Sequence, residues 1–168
     1  MVARAVWNVH ALGPALVIAI LLGGCAEDLG SVARLEGVAA PSLVRLDDRF
    51  AVAARRTGGD VEVLAFSADP RGGWSAAVIA GSRGGEMTVH LLALDGETRQ
   101  EWNSFLFGTA PDGASRVAVD GLTGSGGQVA DGAWVLAFRA RDVAPRHVAW
   151  SVLDAVGGVI ASGTGITR

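Results

Sequence analysis

Hydrophobic and polar residues alternate with a period of two along most of the chain beyond residue 42. Such alternation over four to eight residues is typical of a half-buried β-strand. The region Leu43–Arg56 is rich enough in Ala to fit a helix as well, but Phe50 to Ala54 alternates better as a strand. The pattern predicts nine strands, with 158–162 as a candidate tenth, at 42–46, 49–56, 60–67, 74–80, 86–94, 99–107, 115–120, 133–140 and 147–153.

Dipeptides that favour tight turns lie between or beside these apolar runs. They supply the positive φ angles that hairpin turns require. We interpret the glycine-rich segment 121–127 as a flexible loop between two strands. Strands at this spacing predict an all-β chain, folded as a single antiparallel β-sandwich of the immunoglobulin-like or fibronectin-like type over 37–168. The turn dipeptides begin at Gly58, Gly72, Gly84, Asp95, Asp112, Asp131 and Gly157.

The first 24 residues have a different character from the rest. They contain one cation, Arg4, and no acid, and an apolar run extends from Ala11 to Leu22. A short cationic start, a brief apolar stretch and small residues at its end are the features of a secretory signal peptide. The apolar run is shorter than the roughly 20 residues that a transmembrane helix needs. The pattern therefore predicts a signal peptide helix over 1–24.

The end of that segment reads Leu22-Gly23-Gly24-Cys25, which resembles the lipobox of bacterial lipoproteins. The resemblance implies cleavage between Gly24 and Cys25, a thioether-linked diacylglycerol on Cys25 and further acylation of the new amine. Two or more acyl chains hold a protein stably on a membrane. The chain would then lie on the extracytoplasmic face of the cell membrane, or on an outer membrane in an organism that has two. An ordinary secretory signal or an uncleaved anchor is the alternative.

Between the lipobox and the first predicted strand, 25–36 is expected to form a tether. One helical turn near Ser31–Glu36, with Ser31 as its cap, is compatible with this segment. The C-terminal half resembles an extracytoplasmic β-sandwich of actinobacterial membrane-anchored proteins of unknown function. The segments that carry this resemblance are Phe107-Gly108, 116–119, 131–134 and 150–157. It implies a fold and no activity.

Composition excludes several classes of function. The formal net charge is −3, which argues against a nucleic-acid partner. The single cysteine rules out an intramolecular disulfide and a zinc site built on paired cysteines. Three scattered histidines, at His10, His90 and His147, disfavour a multi-histidine metal centre. We therefore predict no metal and no cofactor. All basic residues are Arg, which we interpret as a compositional bias.

Candidate catalytic groups are sparse. No serine lies in the G-x-S-x-G setting of a nucleophile elbow. The carboxylate pairs Asp47/Asp48 and Glu97/Glu101 have the positions of solvated turn residues. No acidic loop has the spacing of an EF-hand. The sequence therefore predicts a protein that is not an enzyme, with a small envelope hydrolase as the alternative.

Tryptophans are the strongest candidates for a binding surface. Trp134 and Trp150 share the inward period of their strands and are predicted to be core. Trp74 and Trp102 are the candidates for surface contacts, because exposed tryptophans stack on sugars or anchor protein partners. The predicted function is a membrane-anchored binding or scaffolding module with an envelope protein or glycan as partner. An accessory or sensor subunit of an envelope complex is a further alternative.

Overall fold

The computed structural model describes residues 28–84, 90–93, 102–121, 124–139 and 148–165. These residues form one short α-helix and eleven β-strands, and every pairing between strands is antiparallel. The described residues confirm the prediction of a mostly-β structure with antiparallel sheets. The elements are α1 (Leu29–Leu35), β1 (Val44–Arg45), β2 (Phe50–Thr57), β3 (Asp60–Ala68), β4 (Trp74–Ser82), β5 (His90–Ala93), β6 (Trp102–Thr109), β7 (Arg116–Val119), β8 (Ser125–Gly126), β9 (Ala133–Arg139), β10 (Val148–Leu153) and β11 (Val159–Gly165).

The strands divide among three sheets. The first has the order β1-β2-β3-β4, the second β5-β6-β9-β8 and the third β11-β10-β7. A single sandwich of two sheets is therefore not confirmed. The period of two along each strand shows that one face is buried, but it does not show which element covers that face. The ten predicted strand positions are all occupied, and β8 is an addition that the pattern did not show.

An apolar cluster fills the space between the first and the second sheets. It joins side chains of β2 and β3 to side chains of β6 and β9. Packing of two antiparallel sheets face to face in this way is the arrangement of a sandwich. The buried members are Val44, Phe50, Val52, Ala54, Val61, Val63, Phe105, Phe107, Ala133, Val135 and Ala137.

The opposite face of the first sheet is covered by helix α1. Leu29, Val32 and Ala33 of the helix pack against Leu64 and Phe66 of β3, together with two alanines of β2. Strand β2 is consequently buried on both faces from Phe50 to Ala54. A strand buried on both sides carries an apolar run rather than a clean alternation. This explains why the same segment is also compatible with a helix by composition.

Helix α1 replaces most of the expected tether. Its buried apolar residues recur at i, i+3 and i+4, which places them on one side of the helix. The N-cap is Asp28 rather than Ser31: the Asp28 carboxylate accepts hydrogen bonds from the Ser31 amide at 2.9 Å and from the Ser31 hydroxyl at 3.0 Å. These hydrogen bonds lower the pKa of the Asp28 carboxyl below its usual value. The folded part of the chain thus includes residues 29–36, which the sequence interpretation placed outside the domain.

A second interlayer cluster joins the second sheet to the third. Trp134 is fully buried in it, and Leu106, Phe138 and Val152 pack beside it. The layers therefore follow one another in the order helix α1, first sheet, second sheet, third sheet. Facing layers of this kind lie about 10 Å apart. Among the described elements, the helix and the third sheet are thus the two outer layers.

Residues 125–127, at the end of the glycine-rich segment predicted as a flexible loop, connect two sheets by backbone hydrogen bonds. Residues 125–126 form β8, which pairs with β9. The Gly127 amide donates to the Val135 carbonyl at 2.7 Å, and the Gly127 carbonyl accepts from the Val117 amide at 2.7 Å. Gly127 therefore links β9 of the second sheet to β7 of the third. The prediction of a loop was wrong here because a run of glycines can serve close backbone contact as well as disorder.

Predicted turns are confirmed at two tight hairpins. Gly58 and Gly59 have φ angles of 60° and 101° between the paired residues Thr57 and Asp60. Asp131 and Gly132 have φ angles of 50° and 70°. Positive φ at both central residues is the requirement of the turn that matches the twist of a hairpin. The predicted turns at 85 and at 95–96 lie outside the described residues.

Candidate binding surface

The predicted lipid-attachment residues, Gly24 and Cys25, lie outside the described residues. Lipidation therefore stays a prediction of the sequence. Their distance along the chain from the fold is nevertheless known, because the N-cap Asp28 is the first residue described and lies three positions after Cys25. None of the described helices is of the length and apolar character that crossing a bilayer takes.

Trp74, a predicted surface residue, is half-buried at the start of β4. It packs against the cluster beneath helix α1, and the Arg45 guanidinium lies 5.7 Å from the centre of its ring. A cation over an indole face is an attractive contact. The backbone of the other candidate, Trp102, begins β6, but its side chain is outside the description. The structure therefore does not bring the two candidates together as one described surface.

The two tryptophans predicted as core belong to the cluster between the second and third sheets. Trp134 is fully buried, and its indole Nε1 donates to the Thr109 carbonyl oxygen at 3.0 Å. Trp150 is partly buried, and it pairs across the strands with Gly163. A Cβ atom at Gly163 would lie 2.5 Å from Cζ2 of the Trp150 ring, so the indole covers the glycine backbone. Both side chains hold the fold together.

The described carboxylates form structural contacts. Asp47 and Asp48 lie in the turn before β2, where the Asp47 carboxylate accepts from the Arg49 amide at 2.7 Å. These residues and Phe50 line an open surface cleft of about 370 Å³. Glu97 and Glu101 lie outside the described residues. Within the described ranges, histidines, cysteines and acids form no group of three that could hold a metal ion.

One ion-pair network ties helix α1 to the first sheet. The Arg55 guanidinium lies 2.8 Å from the Glu62 carboxylate and 3.3 Å from the Glu36 carboxylate, and it also donates to the Glu36 carbonyl oxygen. All three guanidinium nitrogens of Arg55 therefore have hydrogen-bond acceptors within this network. We interpret this network as a contact that holds the C-terminal end of the helix against the β2–β3 hairpin.

The turn between β10 and β11 exposes a group of aliphatic side chains. Val156 is 93% exposed, Val159 is 64% exposed and Ile160 is 44% exposed. We call these three residues the tip surface. Single exposed apolar residues are common, but three within five positions of one hairpin form a local patch. The tip surface is therefore the candidate binding surface of the described structure.

The turn that carries Val156 is held by a side chain. The Asp154 carboxylate accepts hydrogen bonds from the Val156 amide at 2.9 Å and from the Gly158 amide at 2.7 Å. Gly157 adopts a φ of 88°, which favours glycine. An ordered turn presents its side chains with less loss of conformational entropy on binding. The turn that presents Val156 is thus ordered by these hydrogen bonds.

Strand β11 adds a second feature to this end of the molecule. It lies at the edge of the third sheet and bonds to β10 on one side, in the order described for that sheet. Its seven residues contain neither a charge nor a proline, the usual protections of an edge strand. An edge of this kind accepts an additional strand from a partner by backbone hydrogen bonding.

The sequence interpretation missed the tip surface because it treated Gly157 and Gly158 only as a turn between two strands. A signal was present: Val156 is a large aliphatic residue within a turn, where polar residues are usual. The chemistry of the site is backbone hydrogen bonding and apolar contact, which no catalytic motif marks. Comparisons with protein family models, with curated proteins and with solved structures found no match to this chain.

Proposed function

We propose that this protein is a bacterial lipoprotein whose folded domain binds or scaffolds a partner in the cell envelope. Residues 1–24 serve as the signal peptide, and Cys25 carries the lipid on the extracytoplasmic side of the membrane. The lipobox-like run Leu22-Gly23-Gly24-Cys25 supports the anchor, together with the position of the chain's single cysteine. Loss of the signal leaves a folded chain held to lipid at its N-terminus.

The observation that carries the binding role is the edge position of β11, which has β10 as its one strand partner among the described residues, together with the ordered apolar tip. We infer that an extended segment of an envelope protein adds to β11 and covers Val156 and Val159. Main-chain hydrogen bonds would supply affinity, and the aliphatic side chains would supply apolar burial.

The finer fold assignment also stays a proposal. We propose that the first and second sheets, which pack against each other between α1 and the third sheet, form a sandwich of the immunoglobulin-like or fibronectin-like type.

A small envelope hydrolase is the alternative that the sequence left open. It requires two or more titratable groups that converge in a pocket. The described cleft at Asp47–Phe50 contains such groups, but the Asp47 carboxylate is engaged by the Arg49 amide in the manner of a turn. The binding role is therefore better supported than catalysis.

For the anchor, Cys25→Ser is expected to abolish lipid attachment, because only the thiol can form the thioether. Wild-type protein should show the mass of a diacylglyceryl group and the loss of residues 1–24, whereas the variant should lack the diacylglyceryl mass. Gly24→Ala is the matched control, since alanine keeps a small residue before the cut and should preserve both wild-type results. A wild type without lipid mass, or a variant that carries the same lipid mass, would refute the anchor.

For the binding role, a photo-crosslinking residue in place of Val156 is expected to give one discrete adduct in intact cells. Val159→Asp should reduce that adduct about tenfold or more, because an unpaired carboxylate would be buried at the contact. Ala155→Asp places the same charge in the same turn on a small exposed residue and should change the yield little. Equal yields from both variants would contradict binding through the tip surface.

A further inference from the structure

The chain between Cys25 and the fold is very short. Asp28 already caps helix α1, and Leu29 is 8% exposed within the apolar cluster beneath the helix. Three residues span at most about 10 Å when fully extended. The headgroup layer on each side of a bilayer is itself roughly 5–7 Å thick. A lipid on Cys25 therefore holds the first turn of α1 at the membrane surface.

Two large aliphatic side chains are exposed on and beside helix α1. Leu35 of the helix is 76% exposed, and Val78 of β4 is 52% exposed. Val78 pairs across the strands with Leu64, and Leu64 packs beneath the helix, so Val78 projects on the same side of the sheet. Trp74 is half-buried on that side as well. We call the surface formed by helix α1, which includes Leu35, together with Trp74 and Val78 of β4 the α1 face.

The charges of this face balance. Helix α1 and its cap contribute Asp28, Arg34 and Glu36, while the strands beneath contribute Arg45, Arg55 and Glu62. Three cations and three carboxylates give no net charge by count. The Arg45 guanidinium stands over the Trp74 ring, and Trp with a neighbouring Arg is a combination suited to the headgroup level. Because charges of opposite sign balance among these six residues, the face meets little net electrostatic repulsion at a lipid surface.

We propose that the α1 face rests on the bilayer to which Cys25 anchors the chain, with Leu35 and Val78 at the level of the headgroups. This inference rests on the proposed lipidation of Cys25. The occupant of the face is the lipid surface itself, because the short connection keeps that surface within reach at all times. A high effective concentration allows a weak apolar contact to persist.

The layer order places the tip surface far from the proposed membrane contact. Helix α1 and the third sheet are separated by the first and second sheets. Three interlayer spacings of about 10 Å amount to roughly 30 Å. Position 156 is therefore a suitable internal reference for a measurement of depth at positions 35 and 78.

The test uses the full lipidated chain in vesicles of phosphatidylcholine with phosphatidylglycerol. Leu35→Cys, Val78→Cys and Val156→Cys each introduce a thiol for a spin label, and a water-soluble nickel chelate reports aqueous access. Access at 35 and 78 should be about threefold lower than at 156, as for side chains that enter the interfacial region. Removing phosphatidylglycerol should change this ratio little, because the face has no net charge.

A matched chain with about twenty Gly and Ser residues inserted between Ala26 and Glu27 keeps the lipid but lengthens the connection. Protection at 35 and 78 should decrease in that chain. If the lipid mass is present and all three labels are equally accessible, the α1 face is wrong and the anchor stands. If the lipid mass is absent, both the proposed lipidation of Cys25 and the proposed contact of the α1 face with the bilayer are wrong. Spin–spin broadening at 35 would indicate a second copy on the face and would also overturn the inference.

Discussion

Trp134→Ala is expected to destabilise the protein by about 3–5 kcal/mol, which is the range for removal of a buried tryptophan. The side chain is fully buried between the second and third sheets, so its loss leaves a cavity that neighbouring strands can fill only in part. The indole hydrogen bond to the Thr109 carbonyl is lost as well. Urea unfolding followed by circular dichroism would measure the change in the free energy of unfolding.

Two variants make this expectation specific. Trp134→Phe keeps an aromatic ring in the cluster but lacks the indole N–H, so it should cost less than the alanine variant and fold reliably. Trp150→Ala is the matched control, because Trp150 belongs to the same cluster but is only partly buried. If Trp150→Ala costs as much as Trp134→Ala, the packing assigned to Trp134 is incorrect.

Gly127→Ala is expected to reduce the free energy of unfolding by about 2–4 kcal/mol, the sum of backbone strain and steric overlap. Gly127 has a φ of 82°, a region that disfavours residues with a Cβ atom. The added Cβ would lie 2.4 Å from the Val117 carbonyl oxygen. The substitution should therefore weaken the link between β7 and β9. Hydrogen exchange at the Val117 amide would report that weakening directly.

Gly121→Ala separates the two contributions. Gly121 has a φ of 74°, but no atom lies within 4 Å of the Cβ that alanine would add. It should therefore show the conformational cost alone, about 1–2 kcal/mol. Equal costs at both positions would show that Gly127 is not held close to Val117.

The strands could be predicted from the sequence because most have one buried and one more exposed face. Strand β3 shows this clearly, with Val61 and Val63 buried and Glu62 between them less so. Helix α1 was visible only as one candidate turn near Ser31–Glu36, since seven residues give barely two turns and only three of its four apolar residues are buried. Strand β8 was not predicted because Ser125 and Gly126 have low strand propensity. Their extended conformation depends on pairing with β9.

The division into three sheets also lay beyond the sequence. Alternation indicates that Val52 and Val152 are buried. It does not indicate that Val52 of the first sheet and Val152 of the third sheet pack against opposite faces of the second sheet. That choice depends on connections between distant strands. The candidate surface was partly visible: an aliphatic residue in a turn is a recognisable signal, whereas the open edge of β11 exists only once the order of the sheet is known.

The contacts of Arg55 have a mechanical consequence. In a chain anchored at Cys25 and held by a partner at β11, tension would enter the domain at Leu29 and leave it at its C-terminal strand. Helix α1 would then peel from the first sheet one residue at a time, beginning at its N-terminal end. The bonds from Arg55 to Glu36 lie at the far end of the helix, where they resist further peeling. Under load, the helix would act as an extensible connection, and Arg55 would set its limit.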